Sequence, residues 1–245
     1  MKKIILSILV ASSFLVSCEE DTTANVSSVT NYPLITVLGD DPIFVAQGST
    51  FTDPGAIATE GGNEISYTTS VSGNYRGGSS VDTNITDEYS VKYTATNTDG
   101  FQASADRKVI VYKTGDLVNS IEGVYKCSVA RNSSNPSTAQ NIKYVYIWKN
   151  TNGTYEISDA FGGWYQYHRG FGIDYITPGG TINAVDISTN SFTFPGNPLS
   201  NTGFGGTANI ISLTVDPALK KLILTCTWTA PTAYTFVSTL TQVQL

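Results

Sequence analysis

Asp87-Glu88-Tyr89-Ser90-Val91-Lys92-Tyr93-Thr94-Ala95-Thr96 is the stretch that decides the fold of this 245-residue chain. Tyr89, Val91, Tyr93 and Ala95 fall on one face of an extended backbone, and Ser90, Lys92, Thr94 and Thr96 on the other. A period of two is the mark of a strand with one buried face. Asp99-Gly100 then makes a hairpin turn before a second run, Arg107 to Tyr112. Upstream, Pro33 to Leu38 and Ile43 to Ala46 flank the turn Asp40-Asp41-Pro42. Short alternating runs with turn residues about every eight to twelve positions indicate a β-sandwich over residues 31–113. Tyr89 fits a tyrosine corner, two residues before a position held here by Val91 instead of cysteine. Packing must therefore hold this domain without a disulfide. No helical period is visible anywhere in the chain.

After the joint Thr114-Gly115-Asp116 the runs lengthen and become more aromatic. Strands are expected near Gly123 to Ala130, Asn141 to Lys149, Thr154 to Ser158, Trp164 to His168 and Ile173 to Ile176. Others follow near Thr181 to Ile187, Ser191 to Phe194, Ala208 to Val215, Lys221 to Trp228 and Tyr234 to Val243. Asn152-Gly153, Pro178-Gly179-Gly180 and Pro195-Gly196-Asn197-Pro198 punctuate them. The fold class is all-β: a sandwich followed, over residues 115–245, by an antiparallel meander closed as a barrel or folded as a sandwich. Leu222, Leu224, Cys226 and Trp228 share a face expected to be core.

Within the second domain, Ile157 to Tyr175 gathers Phe161, Trp164, Tyr165, Tyr167, Phe171 and Tyr175 around the only histidine, His168, and Arg169. Read as a strand, it puts Trp164, Gln166 and His168 on one face and Phe161, Tyr165, Tyr167 and Arg169 on the other. Flat rings beside hydrogen-bonding tips suit a sugar, so Trp164, Tyr165, Gln166, Tyr167, His168, Arg169 and Tyr175 are the candidate ligand-binding residues. The Phe161 face reads as core, and the Trp164 face is the better ligand candidate.

The formal net charge is −6, from 14 basic and 20 acidic residues. Loss of a leader carrying Lys2 and Lys3 would leave 12 basic residues against 20 acidic ones, or −8. Such a chain, with no basic run, offers no footing for a phosphate backbone, and nucleic acid is excluded as a partner. Charged residues are scarce, at 14%, and Thr, Ser, Asn, Gly and Tyr abundant, as in extracellular β-proteins.

Lys2-Lys3 and the apolar Ile4 to Val16, too short to span a bilayer, form a signal peptide over residues 1–17. Its end, Leu15-Val16-Ser17-Cys18, resembles the lipobox of bacterial lipoproteins. That resemblance implies cleavage before Cys18, acylation of Cys18, and anchoring by several acyl chains. The following Glu19-Glu20-Asp21 looks like the surface-export signal of Bacteroidota lipoproteins, and residues 18–30 read as the lipidated cysteine and its tether. The expected address is the outer membrane, facing the cell exterior.

Gly48-Ser49-Thr50-Phe51-Thr52-Asp53-Pro54-Gly55-Ala56, Val81-Asp82-Thr83 and Tyr89 to Ala95 resemble the bacterial Ig-like domain shared with pesticidal crystal proteins. It is a common N-terminal spacer of Bacteroidota surface lipoproteins. The sequence departs from that family where Thr86-Asp87-Glu88 replace a glycine. Gly123-Val124-Tyr125, Gly153 to Asp159, Gly162-Gly163-Trp164-Tyr165 and Arg169-Gly170-Phe171-Gly172 resemble a C-terminal domain of Bacteroidota outer-membrane lipoproteins. Those proteins are typically encoded with polysaccharide-uptake systems of the starch-utilisation type. Tyr167-His168 stand where smaller or more polar residues are usual.

Cys127 and Cys226 form an even pair in an exported protein, so a disulfide and two buried thiols are both open. With one histidine and no paired-ligand spacing, no metal or cofactor is expected. Asp40, Asp41, Asp53 and Asp99 lack calcium-loop spacing and read as solvated turn acids. Glu156, Asp159 and Asp174 surround the aromatic segment, and two carboxylates can hydrolyse glycosides. Acids in such turns usually bond nearby backbone, however, and His168 has no nucleophile elbow to serve. The reading is therefore non-enzymatic. The favoured function is a lipid-anchored glycan-binding accessory of a polysaccharide uptake system. The alternative is a lipoprotein that docks on an outer-membrane transporter or a neighbouring lipoprotein. A glycosidase comes third.

Overall fold

The computed structural model describes residues 30–245. The signal peptide, Cys18 and the tether up to Val29 lie outside the described residues. Seven strands build the first domain: β1 (Leu34–Val37), β2 (Ile43–Ala46), β3 (Ala56–Glu60), β4 (Asn63–Ile65), β5 (Tyr67–Gly73), β6 (Asp87–Thr96) and β7 (Gln102–Tyr112). They form two sheets, in the orders β1-β3-β4 and β2-β7-β6-β5, with β2 parallel to β7 and every other neighbour antiparallel. The alternation in β6 is obeyed: Tyr89, Val91, Tyr93 and Ala95 are buried. The Tyr89 hydroxyl donates to the Asp82 carbonyl at 3.1 Å, which completes the tyrosine corner.

One acid in this domain departs from the solvated-turn expectation. Arg107 is fully buried, and its guanidinium pairs with Asp53 at 2.8 Å and reaches the Leu38 carbonyl. The Tyr93 hydroxyl donates to the same Asp53 carboxylate at 2.7 Å. A buried cation requires such partners, so Asp53 is a structural counter-ion. Asp41 accepts the Lys108 N–H at 2.9 Å. Among the described residues, no three acidic, histidine or cysteine side chains are grouped to hold a metal ion.

Nine strands build the second domain: β8 (Gly123–Arg131), β9 (Ile142–Lys149), β10 (Tyr155–Ile157), β11 (Gly179–Asp186), β12 (Ser191–Thr193), β13 (Leu199–Asn201), β14 (Gly205–Asp216), β15 (Lys221–Thr229) and β16 (Ala233–Gln242). They lie in one antiparallel sheet, ordered β12-β11-β10-β9-β8-β16-β15-β14-β13. Register shifts in five of the pairings bend it, as bulges do, and it curls into a half-barrel. The inward residues Leu222, Leu224, Cys226 and Trp228 join one large core with Phe236 and Leu240. The three-residue strand β13 escapes the sequence reading, because Leu199-Ser200-Asn201 is too short to show a period.

The disulfide does not form. Cys127 lies on β8 opposite Leu240, and Cys226 on β15 opposite Phe236, with β16 between them. Two strand spacings are roughly 9–10 Å, beyond the reach of a disulfide. Both thiols are free and buried, and burial pushes them up, Cys226 to about 12.

The two domains share a second core. Ile110 of the first packs with Val124, Tyr146 and Trp148 of the second, and Phe44, Tyr75 and Tyr144 close over it. Glu88 is buried at this seam. It accepts hydrogen bonds from Lys108 Nζ (2.9 Å), Asn74 Nδ2 (2.9 Å) and the Tyr146 hydroxyl across the interface (2.6 Å). The joint is pinned as well: the Gln242 amide donates to the Gly115 carbonyl, and Lys113 pairs with Glu122 at 3.1 Å.

Candidate functional site

The aromatic segment is built around one carboxylate. Asp159 is buried, and it accepts the backbone N–H groups of Phe161 (2.9 Å), Gly163 (2.9 Å) and Thr177 (3.1 Å). Those bonds turn the chain inward and engage both carboxylate oxygens within the fold. Gly162 and Gly163 continue the turn with φ of 67° and 83°. A Cβ on Gly162 would collide with Ser238 Oγ and lie 2.8 Å from both Cys127 Sγ and Val129 Cγ2.

Trp164–His168 then forms one π-helical turn, and Ile173–Tyr175 a 3-10 turn. Left-handed glycines precede both turns, Gly162-Gly163 before the first and Gly172 before the second, and the bonds to Asp159 hold the chain entering the first. The two-faced strand reading therefore fails. Phe161 stacks on Phe236 at 4.3 Å, and with Trp164 and Tyr165 it plugs the half-barrel core.

The predicted ligand residues are distributed in three directions. Trp164 is 2% exposed and Tyr165 6%. Gln166 and Tyr167 face the first domain, where the Gln166 amide donates to the Tyr75 hydroxyl at 3.0 Å and Tyr167 lies 3.4 Å from it. His168 is half-buried over Trp164 and bonds Thr138 Oγ1 at 2.8 Å, while Arg169 is exposed above Phe171. Tyr175 is half-buried between Phe171 and Phe204.

A cavity of about 540 Å³ opens on the far side of Tyr165, lined by Tyr165, Phe204, Gly206, Trp228, Pro231 and Tyr234. Its rings are contiguous: Tyr165 lies 5.1 Å from Phe204 and 5.6 Å from Trp228, and Trp228 stacks on Tyr234 at 5.6 Å. The Trp228 indole N–H donates to the Gly205 carbonyl at 2.9 Å, which fixes its ring. Phe204 is 46% exposed, and Phe171, at 43%, stacks parallel to Tyr165 beside it. Arg131 touches two of the lining residues: its guanidinium lies 4.9 Å from the Tyr234 ring, and 5.0 Å from that of Trp164, and donates to the Tyr165 hydroxyl at 3.4 Å.

Of the predicted residues only Tyr165 lines this cavity. Phe204, Trp228, Tyr234 and Arg131 were not singled out for binding. Trp228 reads as a core residue by its strand period, and it is core on one side. A signal was present in the exposed Phe204 between Gly203 and Gly205, a large ring in a turn with no apolar neighbour to pack against.

The comparisons with known proteins agree with this architecture. A family model for a bacterial surface protein Ig-like domain matches residues 35–111. A second model, for a C-terminal domain, matches residues 114–242, more than half of the chain. The chain belongs to that second family. The crystal structure of the lipoprotein BT2262 from Bacteroides thetaiotaomicron is similar, with a TM-score of 0.61 and 25% identity, over 86% of this chain and 100% of that one. No curated protein matched. The protein is thus a surface lipoprotein of the family, and its address is the bacterial cell envelope.

Proposed function

We propose that this protein is a lipid-anchored outer-membrane accessory that binds glycan at the cell surface for a polysaccharide uptake system, without catalysing a reaction. The observation that carries the reading is the open pocket walled by Tyr165, Phe204, Trp228 and Tyr234. Sugars present apolar faces to such rings and hydroxyls to flanking polar tips. Affinity is modest, since an open pocket leaves much of the ligand wet.

The test is affinity electrophoresis of the purified chain in gels containing amylopectin, xylan or pectin. Phe204→Ala and Tyr234→Ala, both at solvent-reached positions, weaken retention by about tenfold, roughly 1.4 kcal/mol, in variants that circular dichroism shows still folded. Full retention by both variants would remove the pocket from the function.

One observation favours a second reading. Phe171 and Phe204 stand exposed 5.8 Å apart, which is also how a protein-docking patch looks. Docking on an outer-membrane transporter or a partner lipoprotein predicts sugar-independent co-purification from membranes that Phe171→Ala abolishes.

A further inference from the structure

Positive charge is scarce in this acidic chain, and its distribution around the pocket is uneven. There are four arginines. Arg107 is paired with Asp53 at 2.8 Å. Arg76 lies over Trp148, donates its own N–H to the Asp87 carboxylate at 2.9 Å and stabilises the charge there. Arg76, Arg131 and Arg169 have no carboxylate within ion-pairing distance among the described residues, and of these Arg131 and Arg169 lie in the second domain against its aromatic cluster. Both stand near one ring, Tyr165: Arg131 bonds its hydroxyl, and Arg169 lies over the Phe171 ring that stacks on it.

Arg131 lies against two rings and is bonded to Tyr165, so its fork is fixed beside two of the lining residues. Arg169 lies over Phe171, which stacks on Tyr165. Guanidinium groups steadied by aromatic faces and lacking a protein carboxylate are suited to bidentate recognition of an external anion.

We propose that the pocket selects glycans that carry acidic groups, carboxylate or sulfate, with Arg131 and Arg169 reading the acid and Phe204 and Tyr234 receiving the ring. This rests on the glycan reading above. The acidic remainder of the chain does not forbid it, because at 0.1 M salt charges more than about 10 Å away are largely screened.

The experiment measures retention of the full chain by polygalacturonate, the same polymer fully methyl-esterified, chondroitin sulfate and neutral amylopectin. Retention by polygalacturonate, by chondroitin sulfate or by both is expected, and the pattern tells carboxylate from sulfate. The ester and amylopectin bind about tenfold more weakly or not at all, and added salt weakens the acidic polymers selectively. Arg131→Gln and Arg169→Gln each lower affinity for the acidic polymer roughly tenfold and lower retention by amylopectin far less. Arg131→Lys, which keeps charge but loses the fork, falls between. Arg169 is exposed, so its variant keeps the test valid should Arg131→Gln fail to fold. Equal binding of the polymer and its ester, still sensitive to Phe204→Ala, would overturn the acidic preference and leave the glycan reading standing. Retention by none of the four polymers would overturn both.

Discussion

At the scale of single residues, Asp159 sets the chemistry of the interior. Burial outweighs its three N–H donors and pushes its carboxyl up to about 6. In the unfolded chain the same group loses its proton near 3.9. Between those values the folded state holds a proton that the unfolded state has released. The contribution is therefore complete below about pH 4 and fades as pH rises through about 6, by about 3 kcal/mol. Urea midpoints compared between wild type and Asp159→Asn at pH 4, 5, 6 and 7 isolate this dependence, because asparagine cannot titrate. The variant also loses the acceptor for the Gly163 N–H, and its stability falls by a further ~1–3 kcal/mol. A difference between the two proteins that does not change with pH would count against the raised value.

At the scale of elements, the turn beginning at Gly162 decides where the rings go. Gly162→Ala adds a methyl group against Ser238, Cys127 and Val129 and forces a non-glycine residue to positive φ. The expected loss is about 2–4 kcal/mol, read by chemical denaturation, with the near-ultraviolet signal of the aromatic cluster reduced. This turn also marks where sequence reasoning stopped working. In β6 and β15 the alternation was legible because each strand has one buried face and length enough to show it. Trp164–His168 has five residues, nearly all aromatic, and both helical and extended readings bury some of them. What distinguishes them is a carboxylate bonded to three N–H groups, one of them on Thr177, and no local pattern encodes that bond.

At the scale of the whole molecule, the pocket is assembled from parts that are far apart in sequence. Tyr165 comes from the plug, Phe204 from the turn before β14, and Trp228 and Tyr234 from β15 and β16. Only the curl of the sheet brings them together, so the sequence suggested an aromatic site in this domain but assigned it to Trp164 and its neighbours. The seam between the domains was equally hidden. Tyr75, Glu88 and Tyr146 become partners only once both sheets are built. Tyr146→Phe leaves an oxygen of buried Glu88 without its donor and should cost ~1–3 kcal/mol. Calorimetry should show one unfolding transition for wild type, and a split into two on that substitution would show how much of the coupling this bond carries.

The sealed seam determines how load passes through the protein. Force applied at the rings near Trp228 cannot be absorbed by a swivel between the modules, because apolar packing, a shared carboxylate and a pinned joint all resist it. The two modules should turn together as a single strut instead of bending at the joint.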